Sequence, residues 1–346
     1  MKKLIQKLTE TFSPSGYESA VREVIRAEVR LLADEIRVDA LGSLIVRKGA
    51  ALSESKGPTQ SKAKGMPSSK KIMVAAHMDE IGLVASHIDD NGFVRFTTVG
   101  GVRAFHLMGG RVRFINGVPG ILYAEPADKP GEMPAIDKMF IDVGATSRKD
   151  CPVKIGDVAA FERPYLEMGD RLVAKSLDDR IGCVVAIEAL RALLSTPHEI
   201  YFVFTTQEEV GVRGAGAAAY GINPDLGFSI DVTAWGDTPN LFPKFDVGLG
   251  KGPAIKIRDG GMISDPRIVD WMVRTAEREA IPYQREVLLA GSTDARGMQL
   301  ARAGVPVGCV SIPCRYVHAP SEMVDFNDVQ NAVKLVTALL SKPVEL

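Results

Sequence analysis

Two carboxylates stand side by side at Glu208 and Glu209, directly after the apolar run Ile200-Tyr-Phe-Val-Phe-Thr-Thr206. Neighbouring carboxylates raise each other's pKa, and a cation beside them relieves the cost of keeping both ionised. A second acidic pair, Asp178–Asp179, lies in Lys175-Ser-Leu-Asp-Asp-Arg180, and His77, Asp231 and His318 add donors of the same class. Imidazole nitrogens and carboxylate oxygens are the borderline ligand set of Zn²⁺, Co²⁺ or Mn²⁺. Two histidines and three carboxylates are enough to hold two ions a few ångströms apart, provided that one carboxylate bridges them. In His77-Met-Asp79 an acid two residues on can take the other imidazole proton and fix the tautomer. One glutamate of the 208–209 pair then remains to act as general base toward an activated water. Each residue also has a plain reading by itself. Asp178 or Asp231 can cap a helix or turn, His77 can be a hydrogen-bonded core histidine, and the glutamates can be a solvated loop. The expectation of a dinuclear hydrolase rests on their convergence.

Convergence requires elements that bring them together. The run ending at Thr206 is rich in β-branched and aromatic residues and predicts a buried parallel strand. Lys71-Ile-Met-Val-Ala-Ala76 predicts a strand ending at His77, Leu226-Gly-Phe-Ser-Ile230 one running into Asp231, and Val305–Ile312 one leading to His318. In open α/β sheets ligands bind beyond the carboxyl ends of the strands, where all these residues fall. Helical periodicity is expected over Leu4–Leu32, broken by Ser13-Pro-Ser-Gly16, and over Arg180–Leu194, Gly214–Tyr220, Asp265–Ala280 and Asn327–Leu340. A hairpin is expected around Ala40-Leu-Gly42. From about Leu83 to Arg163 the texture changes to short alternating runs separated by turns, which reads as an all-β module inserted into an α/β domain. Gly49–Ser69 is rich in Ser, Lys, Gly and Pro and reads as a mobile loop without a catalytic role.

At 346 residues the chain is long enough for about two domains. A net charge of −1 offers no basic excess for nucleic acid. No stretch approaches the ~18 apolar residues of a membrane helix. The start, Met1-Lys-Lys-Leu-Ile-Gln-Lys-Leu-Thr, lacks the apolar core of a signal peptide, so a cytoplasmic protein is expected. Cys151, Cys183, Cys309 and Cys314 form no C-x-x-C unit and read as small reduced residues. His87, His106 and His198 read as surface or locally bonded residues.

The motifs Ala76-His-Met-Asp-Glu-Ile-Gly82, Leu177-Asp-Asp-Arg180, Thr206-Gln-Glu-Glu-Val-Gly211, Arg213-Gly-Ala215, Ser229-Ile-Asp-Val-Thr233 and Arg315-Tyr-Val-His318 occur in this order. With them the chain resembles the M42 family of metallo-aminopeptidases. The resemblance runs from Leu4 to the end, with Gly49–Ser69 as the main stretch that does not match. It implies an αβα sandwich with a mainly parallel central sheet, of the zinc-peptidase kind, plus an inserted small all-β domain. Residues 1–80 and 167–346 would form the catalytic domain, and 81–166 the insert through which subunits dimerise and oligomerise. It further implies that His77 and Asp231 bind one metal, Glu209 and His318 the other, and that Asp178 bridges them. Glu208 would be the general base and Asp79 would orient His77. The implied activity is removal of N-terminal residues from short peptides, by a homo-oligomer that is a tetrahedral dodecamer built from dimers. Family members often carry a histidine after the Pro-rich turn of the insert, whereas Ala124-Glu-Pro-Ala-Asp-Lys-Pro-Gly131 has none.

Two other functions would use parts of the same pattern. Some relatives of such proteins have been described as cellulases, but a glycanase needs two carboxyls facing each other across the bond. Adjacent glutamates do not provide that, and Trp235 and Trp271 are the only tryptophans available to stack a sugar. A non-catalytic, metal-stabilised scaffold explains the ligands but leaves the spare glutamate without a purpose. The loop Leu289-Ala-Gly-Ser-Thr-Asp294 is expected to form part of the pocket for the substrate's first side chain.

Overall fold

The computed structural model describes residues 1–49, 69–127, 129, 131–240 and 244–346. The expected loop between Gly49 and Ser69 lies outside the described residues. The chain enters through two amphipathic helices, α1 (Lys2–Thr9) and α2 (Ser19–Val29). Their buried residues, Leu4, Ile5 and Leu8 then Val21, Ile25 and Val29, recur every three or four positions and so share one face. An antiparallel hairpin follows, β1 (Glu35–Val38) and β2 (Leu44–Lys48), then the buried strand β3 (Lys71–His77).

After β3 the chain leaves for six strands, β4 (Gly82–Ile88), β5 (Val94–Val99), β6 (Arg111–Phe114), β7 (Pro119–Ala124), β8 (Met139–Asp142) and β9 (Val158–Phe161). They close into a barrel in the order β4-β5-β8-β7-β6-β9, with β9 pairing back onto β4. Closure leaves no unpaired sheet edge. Leu83, Val94, Phe96, Val112, Phe114, Leu122, Ile141 and Phe161 fill its core.

The α/β body resumes with the hairpin β10 (Leu166–Met168) and β11 (Arg171–Ala174), then α3 (Leu177–Ala192), β12 (Glu199–Thr205), α4 (Arg213–Ile222) and β13 (Leu226–Thr233). It ends with β14 (Ala254–Arg258), α5 (Pro266–Arg278), β15 (Gln284–Val287), α6 (Asp294–Gln299), β16 (Val307–Arg315), β17 (Glu322–Asp325) and α7 (Phe326–Ser341). The sheet runs β1-β2-β12-β3-β13-β16-β17-β11-β10, with β14 joined to β16 and β15 to β14. Its centre, β12-β3-β13-β16, is parallel, as expected for the strands that carry the donors, while antiparallel strands extend it on both sides. The sheet as a whole is therefore mixed.

Strand alternation divides the core between two helical layers. Ile72, Val74 and Ala76 of β3 pack with residues of α1, α2, α3 and α7, whereas Met73 and Ala75 pack with α4 and α6. This is the expected αβα sandwich with an added all-β unit. Among the described residues no helix is long and apolar enough to cross a membrane.

Candidate metal centre

Register explains why distant donors meet. Thr205 of β12 lies beside His77 of β3, and Asp231 of β13 beside Ser311 of β16, so the parallel strands end close together. Glu208 and Glu209 follow β12 by a few residues, and His318 follows β16. Asp178 arrives by another route, from the start of α3 beyond the antiparallel strand β11. Thus all five expected donors converge, and Glu208 stands beside them.

The Asp178 carboxylate lies at the middle. One oxygen is 3.0 Å from His77 Nε2 and the other is 3.2 Å from His318 Nε2. His77 Nε2 is also 4.0 Å from Asp231, and His318 Nε2 is 3.3 Å from Glu209. Two groups offer donor atoms within 4.8 Å of one another: His77 with Asp179 and Asp231, and His77 with Asp178 and Glu209. The His77, Asp178, Asp231 and Glu209 side chains are under a tenth exposed, while His318 is 30% exposed, so the site meets solvent on the His318 side.

The second acidic pair separates into two tasks. Asp178 and Asp179 have non-helical backbones, so regular helix starts near Arg180, as expected. Asp179 takes the capping role considered for the pair: its carboxylate accepts the Gly182 N–H at 3.0 Å and the His77 N–H at 3.3 Å. Asp178 is thereby left to face both histidines.

Asp79 is fully buried and faces His77 Nδ1 at 3.4 Å. It also accepts the Ser15 hydroxyl and the backbone N–H groups of Glu208 (3.0 Å) and Glu209 (3.2 Å). One carboxylate therefore ties the histidine at the end of β3 to the glutamate loop after β12. Among the described residues, no hydrogen bond reaches the Glu208 carboxylate.

Electrostatics favours a cation here. Burial pushes the Glu208 and Asp231 carboxyls well above the usual range, reinforced by the charge of Asp231 at Glu208 and by that of Asp178 at Asp231. Burial also raises Glu209 to about 8, against the pull of His318. Burial alone would depress the two imidazoles. Hydrogen bonds and charge from Asp178 and Asp79 outweigh it at His77, and Glu209 with Asp178 lifts His318 to about 10. Carboxylates stripped of water and crowded together hold protons unless a divalent ion replaces them. The borderline donor types and the two overlapping groups fit a pair of such ions.

Several residues around the site were not anticipated. Glu322, at the first position of β17, accepts the N–H of Asp178 at 2.9 Å and that of His318 at 2.8 Å. Gly100 and Gly101, after β5, bring the barrel backbone against Glu209 and His318; a Cβ on Gly101 would lie 2.4 Å from His318 Nδ1. His106, read as a surface or locally bonded residue, is partly buried and places its Nδ1 3.0 Å from the carbonyl of His318, 212 residues away. His198 is buried between Lys70 and Lys342, and His87 is exposed. In the loop expected to line the specificity pocket, Leu289 is exposed, whereas Asp294 is buried beside Thr205 and its carboxyl is pushed up to about 6 by burial.

The sequence profile of the M42 glutamyl aminopeptidase family matches residues 57–335. A putative aminopeptidase of Acetivibrio thermocellus is 45% identical over 335 residues, covering 96% of each chain. The solved aminopeptidase of the archaeon Desulfurococcus kamchatkensis superposes with a TM-score of 0.90 at 39% identity, covering 99% of this chain and 94% of that one. The TET1 peptidase of Pyrococcus horikoshii, which can assemble into a tetrahedron or a large octahedral shell, gives 0.86 at 32% identity over 99% of both chains. These matches, with the donor clusters, favour peptide over glycan hydrolysis. The chain belongs to the M42 family and is a metal-dependent aminopeptidase.

Proposed function

We propose that the chain holds two divalent ions, with His77 and Asp231 on one, Glu209 and His318 on the other, and Asp178 between them. Zn²⁺ or Co²⁺ suits the donor set best, and Mn²⁺ is also admitted. The observation that carries this reading is the Asp178 carboxylate, which turns one oxygen to each histidine at 3.0 and 3.2 Å. Bound there, the ions supply Lewis acidity, which polarises a peptide carbonyl and makes water more acidic.

The chain's own residues do the rest. Glu208 serves as general base: its carboxylate accepts no hydrogen bond from the described residues, and burial raises its affinity for a proton. It accepts the proton from the attacking water and returns it to the leaving amine. Asp79 orients the His77 ring and fixes the glutamate loop. The surplus of carboxylates draws the free ammonium of a short peptide, which makes the cleavage an N-terminal one.

The barrel, residues 81–166, is the module through which copies pair, and dimers build a tetrahedral dodecamer. The assembly of the Pyrococcus horikoshii relative supports this reading. So does the outer face of β7, where Ile121 and Tyr123 are about half exposed; apolar groups clustered outward often mark a covered surface.

Chelation followed by titration tests the metal reading. Two ions should bind per chain, with hydrolysis of aminoacyl-nitroanilides returning as they do. A single ion at saturation, or full activity in a verified metal-free sample, overturns it.

A further inference from the structure

His318, like Glu209 among the proposed ligands, lies outside regular helix and strand. It lies in the turn between β16 and β17 with φ +64°, in the left-handed region that non-glycine residues rarely adopt. Such a conformation persists only where the surroundings hold it. Here both backbone polar groups of His318 are taken by side chains. Its N–H donates to Glu322 at 2.8 Å, and its carbonyl stands 3.0 Å from His106 Nδ1, which must be the donor because a carbonyl only accepts.

The two partners come from different bodies. Glu322 is 2% exposed, begins β17, and spends its second oxygen on the N–H of Asp178 at 2.9 Å. One rigid carboxylate thus spans the bridging acid and the histidine. His106 belongs to the one-turn helix Ala104–His106 of the inserted barrel, packed edge-on to Phe105 with ring centroids 4.0 Å apart. The same barrel segment sets the Gly101 backbone against the His318 ring, leaving no room for a side chain there.

We propose that Glu322 and His106 are positioning residues for the metal pair. Glu322 sets the spacing of Asp178 and His318, and His106 carries the barrel's hold on His318. The inserted barrel is then part of the metal centre of its own chain, in addition to being a surface for assembly. This rests on the reading of His318 as a ligand. Neither residue touches reacting atoms; both act through the backbone of a ligand. Outer partners of this kind typically change metal affinity by about 10- to 100-fold.

The chemistry of the partners defines the variants. Glu322→Gln keeps the shape but offers one acceptor oxygen where two N–H groups need one each. His106→Ala removes the donor, and His106→Asn restores an N–H close to the Nδ1 position. The full-length protein, stripped by chelation, is titrated with Co²⁺ alone and followed by calorimetry and by visible absorption, with thermal unfolding of each metal-free variant as a folding control. In the wild type two ions bind, and His318→Ala should lose one. Glu322→Gln and His106→Ala should weaken one of the two ions by about 10- to 100-fold and alter the Co²⁺ spectrum, with kcat falling more than KM rises. His106→Asn should recover to within a few-fold. If His318→Ala loses an ion while Glu322→Gln and His106→Ala titrate like the wild type, the positioning roles are refuted and the ligand stands. If His318→Ala still binds both ions, the ligand assignment itself fails. Should Glu322→Gln not fold, the half-buried His106 decides alone: loss with Ala and recovery with Asn supports the proposal, and no difference between them overturns it.

Discussion

Glu208 and Glu209 are adjacent in the chain but meet different surroundings. Glu209 lies 3.3 Å from His318 Nε2, whereas no hydrogen bond from the described residues reaches the Glu208 carboxylate. A free, desolvated carboxylate beside a metal pair is suited to move a proton. Glu208→Gln should keep both ions by metal analysis while kcat falls by about 10²- to 10⁴-fold, the usual contribution of a general base. Near-normal turnover would remove Glu208 from that role. Asp79 lies one step further out, against His77 and the amides of both glutamates. Asp79→Ala should weaken metal binding by about 10- to 100-fold in competition with a chromophoric chelator. Unchanged affinity would reduce Asp79 to a packing residue.

At the scale of elements, the site depends on how β3, β11 and α3 are locked together. Glu80, one residue past Asp79, pairs with Lys175 at 2.6 Å and Arg180 at 3.5 Å, all essentially buried. Arg180 also donates to the carbonyls of Leu8, Thr11 and Ser13, pinning α1 and the following turn to the start of α3. Removing one partner of a buried ion pair strands the other charges in a dry interior. Glu80→Ala should therefore cost about 3–5 kcal/mol in urea unfolding at fixed protein concentration. A loss below about 1 kcal/mol, the range of surface pairs, would show that the network is dispensable. Strand ends were legible from sequence because buried parallel strands are continuous apolar runs. The division of labour between Asp178 and Asp179 was not, since both are acceptable capping residues and only the Gly182 N–H accepted by Asp179 assigns the cap to it.

For the whole molecule, the barrel meets the candidate site through one short segment and exposes apolar groups on an outer strand. Its inner residues form a separate core, its loop after β5 presses on Glu209 and His318, and its outer face on β7 exposes Ile121 and Tyr123. Placing charge on that face by Ile121→Glu with Tyr123→Glu should shift the assembly to smaller species in light scattering. The barrel should stay folded, because neither side chain points into its core. A wild-type monomer at working concentration would refute the proposed dodecamer. An all-β insert was readable from alternating runs and turns, but its closure was not. β8 is only four residues long and gives too little alternation to identify, yet it joins β5 to β7 and completes the ring.

The sequence by itself determined the donor types, their order, and their places at the ends of apolar runs, because periodicity and strand ends are local properties. It also carried the family, through motifs that survive as short strings. Only the tertiary structure decided which oxygen of Asp178 meets which histidine, that Asp179 caps the start of α3, and that Glu322 and His106 grip the backbone of His318. Those contacts join residues up to 212 positions apart, and their distances are set by how sheet, helix and barrel pack. No local pattern encodes such a distance, since it is the joint outcome of close packing across the whole core.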